Sequence, residues 1–162
     1  MTKLTYHQID FKLDFEKYWD DWVSIWLDIW NESNLYKKTG IECNPDKASF
    51  KELALSNSLL GIMGLDEKGA VKSGYIGCFG PYIYNPLCIF CEEWLCFVHT
   101  EYRTAKEVKT LIKEIDKVME AYNVALYTFV KPVVESPKDG LSKFGYFQQD
   151  TVYMKVRSDG IQ

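Results

Sequence analysis

Apolar positions along the chain repeat with two different periods. Between residues 104 and 122, Val108, Leu111, Ile112, Ile115, Val118, Met119 and Tyr122 recur at three- and four-residue steps. That spacing predicts an amphipathic helix with one buried face. It follows an apolar run at 87–98, read as a buried strand, across a short polar turn at 99–102. Near the N-terminus, Trp19, Trp22, Trp26 and Trp30 form a second helical stripe with Val23 and Leu27, and Tyr18, Ile25 and Ile29 widen it to one side. This helix is expected to start at a cap, Asp10 or Asp14, and to run to about residue 32. Asp20, Asp21 and Asp28 supply its solvated side. So wide an apolar surface fits a helix laid on a sheet. The functional alternative is a dimer face or the wall of an acceptor pocket.

The remaining pattern is β-like and short. Residues 5–9 alternate as a first strand, and 31–46 form a polar loop with Gly40, Asn44 and Pro45. Asn44 is expected to cap a short helix that begins at Pro45 and reaches about residue 54. Runs at 58–65 and 71–79 flank Asp66-Glu67-Lys68-Gly69, a hairpin turn signal. The proline-bounded segment 81–86 is expected to end the second of these runs. Gly61, Gly64, Gly74, Gly77 and Gly80 dot the strands, which points to close approach of backbone or ligand. Residues 124–130 form an unpatterned apolar run, as in a strand buried on both faces. A loop at 131–137, two helical turns at 138–144 ending at Gly145, and a closing strand at 147–157 complete the chain. There is no repeat and no linker. The fold class is α/β, a single domain over residues 1–162 with a mixed, mostly antiparallel sheet flanked by helices.

At 162 residues, with 47% hydrophobic and 26% charged residues, the chain can bury a core without staples. A net charge of −4 argues against a general nucleic-acid binder. The first residues lack the apolar core of a signal peptide, and no apolar run is long enough to span a membrane. Five cysteines without a signal suggest reduced thiols, so the expected address is cytoplasmic. Cys88, Cys91 and Cys96 invite a metal reading, but a three-residue step in a strand points the first two thiols to opposite faces. No second pair follows and only two histidines exist, so no metal site is expected and the thiols read as buried and inert.

The candidate chemistry lies where the strand meets the long helix. Arg103, Lys106 and Lys109 crowd the helix start, where the helix dipole is already positive and disfavours cations. A bound anion would reverse that cost, because free N–H groups at a helix start cradle phosphates. Glu92 and Glu93 are neighbours on the preceding strand, so at most one can enter a cleft on a given face. His99 in the turn is a further base or donor candidate.

Two segments carry a family resemblance. Cys96-Phe97-Val98-His99-Thr100-Glu101-Tyr102-Arg103 resembles the fourth strand and acyl-CoA loop of the GNAT superfamily, the Gcn5-related N-acyltransferases. Leu141-Ser142-Lys143-Phe144-Gly145-Tyr146 is similar to that family's C-terminal segment. The resemblance implies a three-layer fold and acyl transfer from acetyl-CoA to an amine. Cys96, Phe97 and Val98 would pair with the pantetheine arm. Arg103, Thr104, Ala105, Lys106, Glu107 and Val108 would wrap the pyrophosphate. Glu92 or Glu93 would deprotonate the acceptor. The family's loop glycines are replaced by Lys106 and Val108, and its thiolate-protonating tyrosine by Leu141, which leaves Tyr127 or Tyr146 for that role. The implied partners are a CoA thioester and an amine acceptor; a second copy in a homodimer is suggested separately, by the wide aromatic face of residues 18–30. Compact, glycine-poor versions look like acetyltransferase-like proteins of tailed bacteriophages. That likeness implies the alternative of a non-catalytic binding or assembly protein, such as a virion component or counter-defence factor.

Overall fold

The computed structural model describes residues 3–32, 37 and 40–128. The expected elements at 138–144 and 147–157, with Leu141 and Tyr146, lie outside the described residues. In order, the elements are β1 (Thr5–Gln8), α1 (Phe11–Glu32), α2 (Lys47–Leu55), β2 (Leu59–Leu65), β3 (Val71–Tyr82), β4 (Asn85–Val98), a 3-10 turn (Thr100–Tyr102), α3 (Ala105–Ala121) and β5 (Val124–Tyr127). The strands lie side by side as β1-β2-β3-β4-β5. All neighbours are antiparallel except β4 and β5, which are parallel and joined through α3. A parallel pair needs such a crossover. This is the mixed α/β architecture that the pattern predicts.

Alternation along the strands divides the core in two. On one face Phe11, Phe15, Trp19, Trp22 and Ile25 of α1 pack with Leu59, Met63, Ile76 and Leu95. On the other, Leu111, Ile115 and Met119 of α3 pack with Leu60, Ile62, Tyr75, Cys91 and Val98. The tryptophan stripe is therefore spent within the protomer: Trp22 is fully buried, and Trp19, Trp26 and Phe15 surround Phe50 of α2.

Four expectations need correction. β5 is not buried on both faces, since Ala125 and Leu126 are exposed and Val124 and Tyr127 only half-buried. The cap of α2 is Asp46 and not Asn44. Asp46 has extended backbone and its carboxylate accepts the Ser49 N–H at 2.9 Å, so Pro45 falls outside the helix. Prolines do not end β3, which runs through Pro81 to Tyr82 and turns tightly into β4. The Phe79 N–H points toward β2, donating to the Ser58 carbonyl at 2.8 Å. By alternation the Pro81 nitrogen faces the same way, past the end of β2, where no donor is needed. Of the five thiols only Cys91 is fully buried, and Cys43, Cys78, Cys88 and Cys96 are half-buried.

Helix ends follow local chemistry. Asp10 caps α1, accepting from the Lys12 and Leu13 N–H groups, while Asp14 reaches back to accept the Asp10 N–H at 2.9 Å. The β2–β3 turn forms as expected, with Gly69 at φ +78° and the Asp66 carboxylate accepting the N–H groups of Lys68 and Ala70.

Candidate functional site

The site begins with one extra residue in β4. Ile76 pairs with Leu95 but Gly77 pairs with Glu93, which leaves Trp94 as a β-bulge. The consequence is visible in the packing. Cys91 and Cys96, five residues apart, both face α3, while Leu95 enters the α1 core and the Trp94 ring lies 6.3 Å from that of Phe50. A bulge bends its strand and increases local twist. Here it sits where β5 leaves β4. Their register ends at Cys91–Tyr127, and the next contacts come from Thr128. Its N–H donates to the Cys91 carbonyl (3.0 Å) and its hydroxyl accepts the Glu93 N–H (2.9 Å). From Trp94 to Val98 that edge of β4 has no strand partner among the described residues.

The groups this edge presents can be read from the register. The His99 N–H donates to the Lys72 carbonyl at 2.8 Å, which makes Val98–Ser73 a non-hydrogen-bonded pair. Phe97 therefore turns its N–H and carbonyl to Gly74, while Cys96 and Val98 turn theirs to the open edge. The Val98 carbonyl accepts Arg103 Nε at 3.1 Å. The N–H and carbonyl of Cys96 and the N–H of Val98 remain for an extended ligand.

The turn that follows uses most of its own amides. The N–H groups of Tyr102, Arg103 and Thr104 donate to the carbonyls of His99, Thr100 and Tyr102. Thr104, in extended backbone, caps α3 by accepting the Glu107 N–H, and the Val108 N–H donates to the Thr104 carbonyl. Ala105 and Lys106 thus supply the two amides of the helix start without an acceptor among the described residues. Glu107 points away from the turn. Its carboxylate accepts the Tyr6 hydroxyl at 2.7 Å, which in turn accepts from Ser73, a fully buried hydroxyl. Burial, with the Glu107 carboxylate adding to it, pushes the Tyr6 phenol well above its usual range. This relay ties the first turn of α3 to β1.

A cleft of about 250 Å³ opens beside the turn on the α1 face, lined by Ile25, Asp28, Ile29, Glu32, Phe97, Val98, His99 and Arg103 among others. Mixed apolar and charged lining is common in ligand sites. The sequence offers α1 as an acceptor-pocket wall through its apolar face, which holds Ile25 and Ile29, but not the charged lining, since Asp28 reads as solvated side and Glu32 as a helix end. The signal was present in the i, i+3, i+4, i+7 spacing of Ile25, Asp28, Ile29 and Glu32.

The predicted catalytic residues are spread over both faces. Glu92 lies exposed on the α1–α2 face opposite Cys78, and Glu93 faces α3, where burial of the Cys96 thiol, with the Glu93 charge adding to it, holds that thiol well above the usual range. Neither lines the cleft. The Tyr127 hydroxyl donates to Asp116 of α3 at 2.5 Å, which turns it toward that helix. His99 Nδ1 accepts the Glu101 N–H, a role in the turn itself. Burial raises the Cys91 thiol to about 11, and the Tyr75 hydroxyl lies 3.7 Å from its sulfur. Among the described residues no three His, Cys, Asp or Glu side chains could jointly hold a metal ion, and no helix is long and apolar enough to cross a membrane.

No protein-family model matches the sequence, and no curated protein matches it. Solved structures do match. An aminoglycoside acetyltransferase from an uncultured soil metagenomic sample, in complex with sisomicin, is 16% identical with a TM-score of 0.63, over 95% of this chain and 97% of that one. A predicted acetyltransferase from Clostridium acetobutylicum with acetyl-CoA is 16% identical with a TM-score of 0.60, over 95% and 96%. The ribosomal-protein-alanine N-acetyltransferase of Brucella melitensis biovar Abortus 2308 is 15% identical with a TM-score of 0.64, over 95% and 97%. The likeness is one of fold. The chain has the mixed α/β fold of the GNAT acetyltransferases.

Proposed function

We propose that the protein is an acyl-CoA-dependent N-acyltransferase acting on an amine. The observation that carries this reading is the open edge of β4, which leads from the bulge at Trp94 directly to the unmatched amides of Ala105 and Lys106. An extended thioester arm would pair with Cys96 and Val98, and its pyrophosphate would meet those two amides, the Lys106 ammonium and the Arg103 guanidinium. A neighbour of the same fold holds acetyl-CoA, which supports this placement.

In the transfer step the acceptor nitrogen attacks the thioester carbonyl carbon. The N–C bond forms as the C–S bond breaks, the ammonium proton passes to a base, and the thiolate takes a proton as it leaves. Glu92 shares the face of the cleft and is the assigned base. Tyr127 lies on the α3 face and would give the thiolate its proton, while Glu93, on the same face, is the alternative base. A polarising donor for the carbonyl oxygen would come from the free edge N–H groups.

A filled site would instead favour a non-catalytic assembly protein, and neither bulky candidate fills it. Trp94 leans on Phe50 with 44% of its surface exposed, and Val108 is 38% exposed. The reading is tested by following thiol release from acetyl-CoA with polyamines, aminoglycosides, lysine peptides and peptides with a free N-terminal alanine. Release with at least one class, reduced about 100-fold or more by Glu92→Gln, is expected. Release no faster than hydrolysis with every class, while acetyl-CoA binds, would overturn it.

A further inference from the structure

Among the described residues, Arg103 is the only Lys or Arg side chain lining the cleft, and it is already engaged. Its guanidinium donates to both carboxylate oxygens of Glu32, at 3.2 and 3.1 Å, while Nε holds the Val98 carbonyl. Glu32 ends α1, 71 residues earlier in the chain, so this is a tertiary contact and not a helix-local one. Both side chains stay about half exposed, at 49% and 47%, so burial does not force the pairing. A carboxylate at the C-terminal end of a helix is itself unfavourable, and the last turn of α1 has no basic residue to offset it. Arg103 supplies that offset from another element.

We propose that Glu32 is the specificity-determining residue of the cofactor-anion site, a tethered carboxylate that an incoming anion must displace from Arg103. The inference rests on the acyl-CoA reading. A simple anion offers Arg103 no more than Glu32 already provides, and it arrives without a tether. A pyrophosphate reaches further, to the Ala105 and Lys106 amides and the Lys106 ammonium, and these added contacts decide the competition. Glu32 therefore selects a polyanionic thioester carrier over phosphate or a carboxylate.

The test is calorimetric titration of the full chain as wild type, Glu32→Gln, Arg103→Gln and the double variant. The probes are coenzyme A and pantetheine, which has the thiol arm without the anions. Glu32→Gln should bind coenzyme A about two- to fivefold more tightly, the range of a half-exposed ion pair. Pantetheine binding should not change, inorganic phosphate should compete better, and the gain should vanish in the Arg103→Gln background. Equal or weaker coenzyme A binding by Glu32→Gln, or a gain that persists without Arg103, would overturn the proposal and leave the acyl-CoA reading standing. No coenzyme A binding by any variant, each shown to be folded, would overturn both.

Discussion

At the scale of single residues, the bulge depends on the absence of a side chain opposite it. A Cβ on Gly77 would lie 2.5 Å from Cys91 Sγ and 3.0 Å from the Glu92 carbonyl. Cys91 is fully buried between β4 and α3 and has nowhere to move. Gly77→Ala should therefore cost about 1–3 kcal/mol, read as a lower urea midpoint. The cost should shrink in a Cys91→Ala background, which frees the space. An unchanged midpoint for the single variant would mean that the bulge relaxes without strain. The sequence marks Gly77 as a place of close approach but does not say what approaches, since Cys91 is brought there by register. Glu92 and Glu93 were legible as a pair facing opposite ways. Which of them shares the α1 side of the sheet with the cleft depends on the bulge at Trp94, an insertion that no local pattern announces.

Elements are decided by periodicity, and the long ones were legible for that reason. The apolar steps in α1 and α3 fix both helices and most of their buried faces, with Leu27, Val108 and Tyr122 left exposed, and the runs flanking the Asp66–Gly69 turn mark β2 and β3. Boundaries depend on one side chain each. Asp46 displaces Asn44 as a cap because its carboxylate reaches the Ser49 N–H, and Pro81 stays in β3 because its nitrogen faces no partner. The seam between α1 and α2 adds an ionic contact that no periodicity shows. Glu16 accepts from Lys51 and pairs with Lys47 at 2.9 Å. These hydrogen bonds, Lys51 first, lower its carboxyl from 4.5 to about 2. A carboxyl depressed in the folded state stabilises the fold above its unfolded pKa, and loses that contribution as pH falls through the folded value. The window is thus from about 4.5 down to about 2. Thermal midpoints at about pH 5 and about pH 2.5 should fall further for wild type than for Glu16→Gln. Equal losses would show that the seam carries no linked proton.

For the whole molecule, the sequence indicated a strand, a turn and a cation-rich helix start, and the structure puts them at one end of an open sheet edge. The cleft beside them was legible only in part: the apolar face of α1 reads as a pocket wall, but its place against the turn, with Asp28 and Glu32, follows from the packing of the tryptophan stripe. The replaced glycines acquire a physical meaning in three dimensions. Thr104 caps the Glu107 amide, Glu107 is held by Tyr6, and among the described residues only the Ala105 and Lys106 amides of the helix start remain to meet an anion. The site is smaller than a glycine-lined loop would offer, and it relies more on the charge of Lys106. Calorimetric titration of the purified protein with acetyl-CoA, with Lys106→Glu alongside, tests this most directly. Dissociation constants of about 1–100 μM are expected for wild type, weakened at least about tenfold by the charge reversal. A folded protein that gives no heat of binding at about 1 mM acetyl-CoA would contradict it.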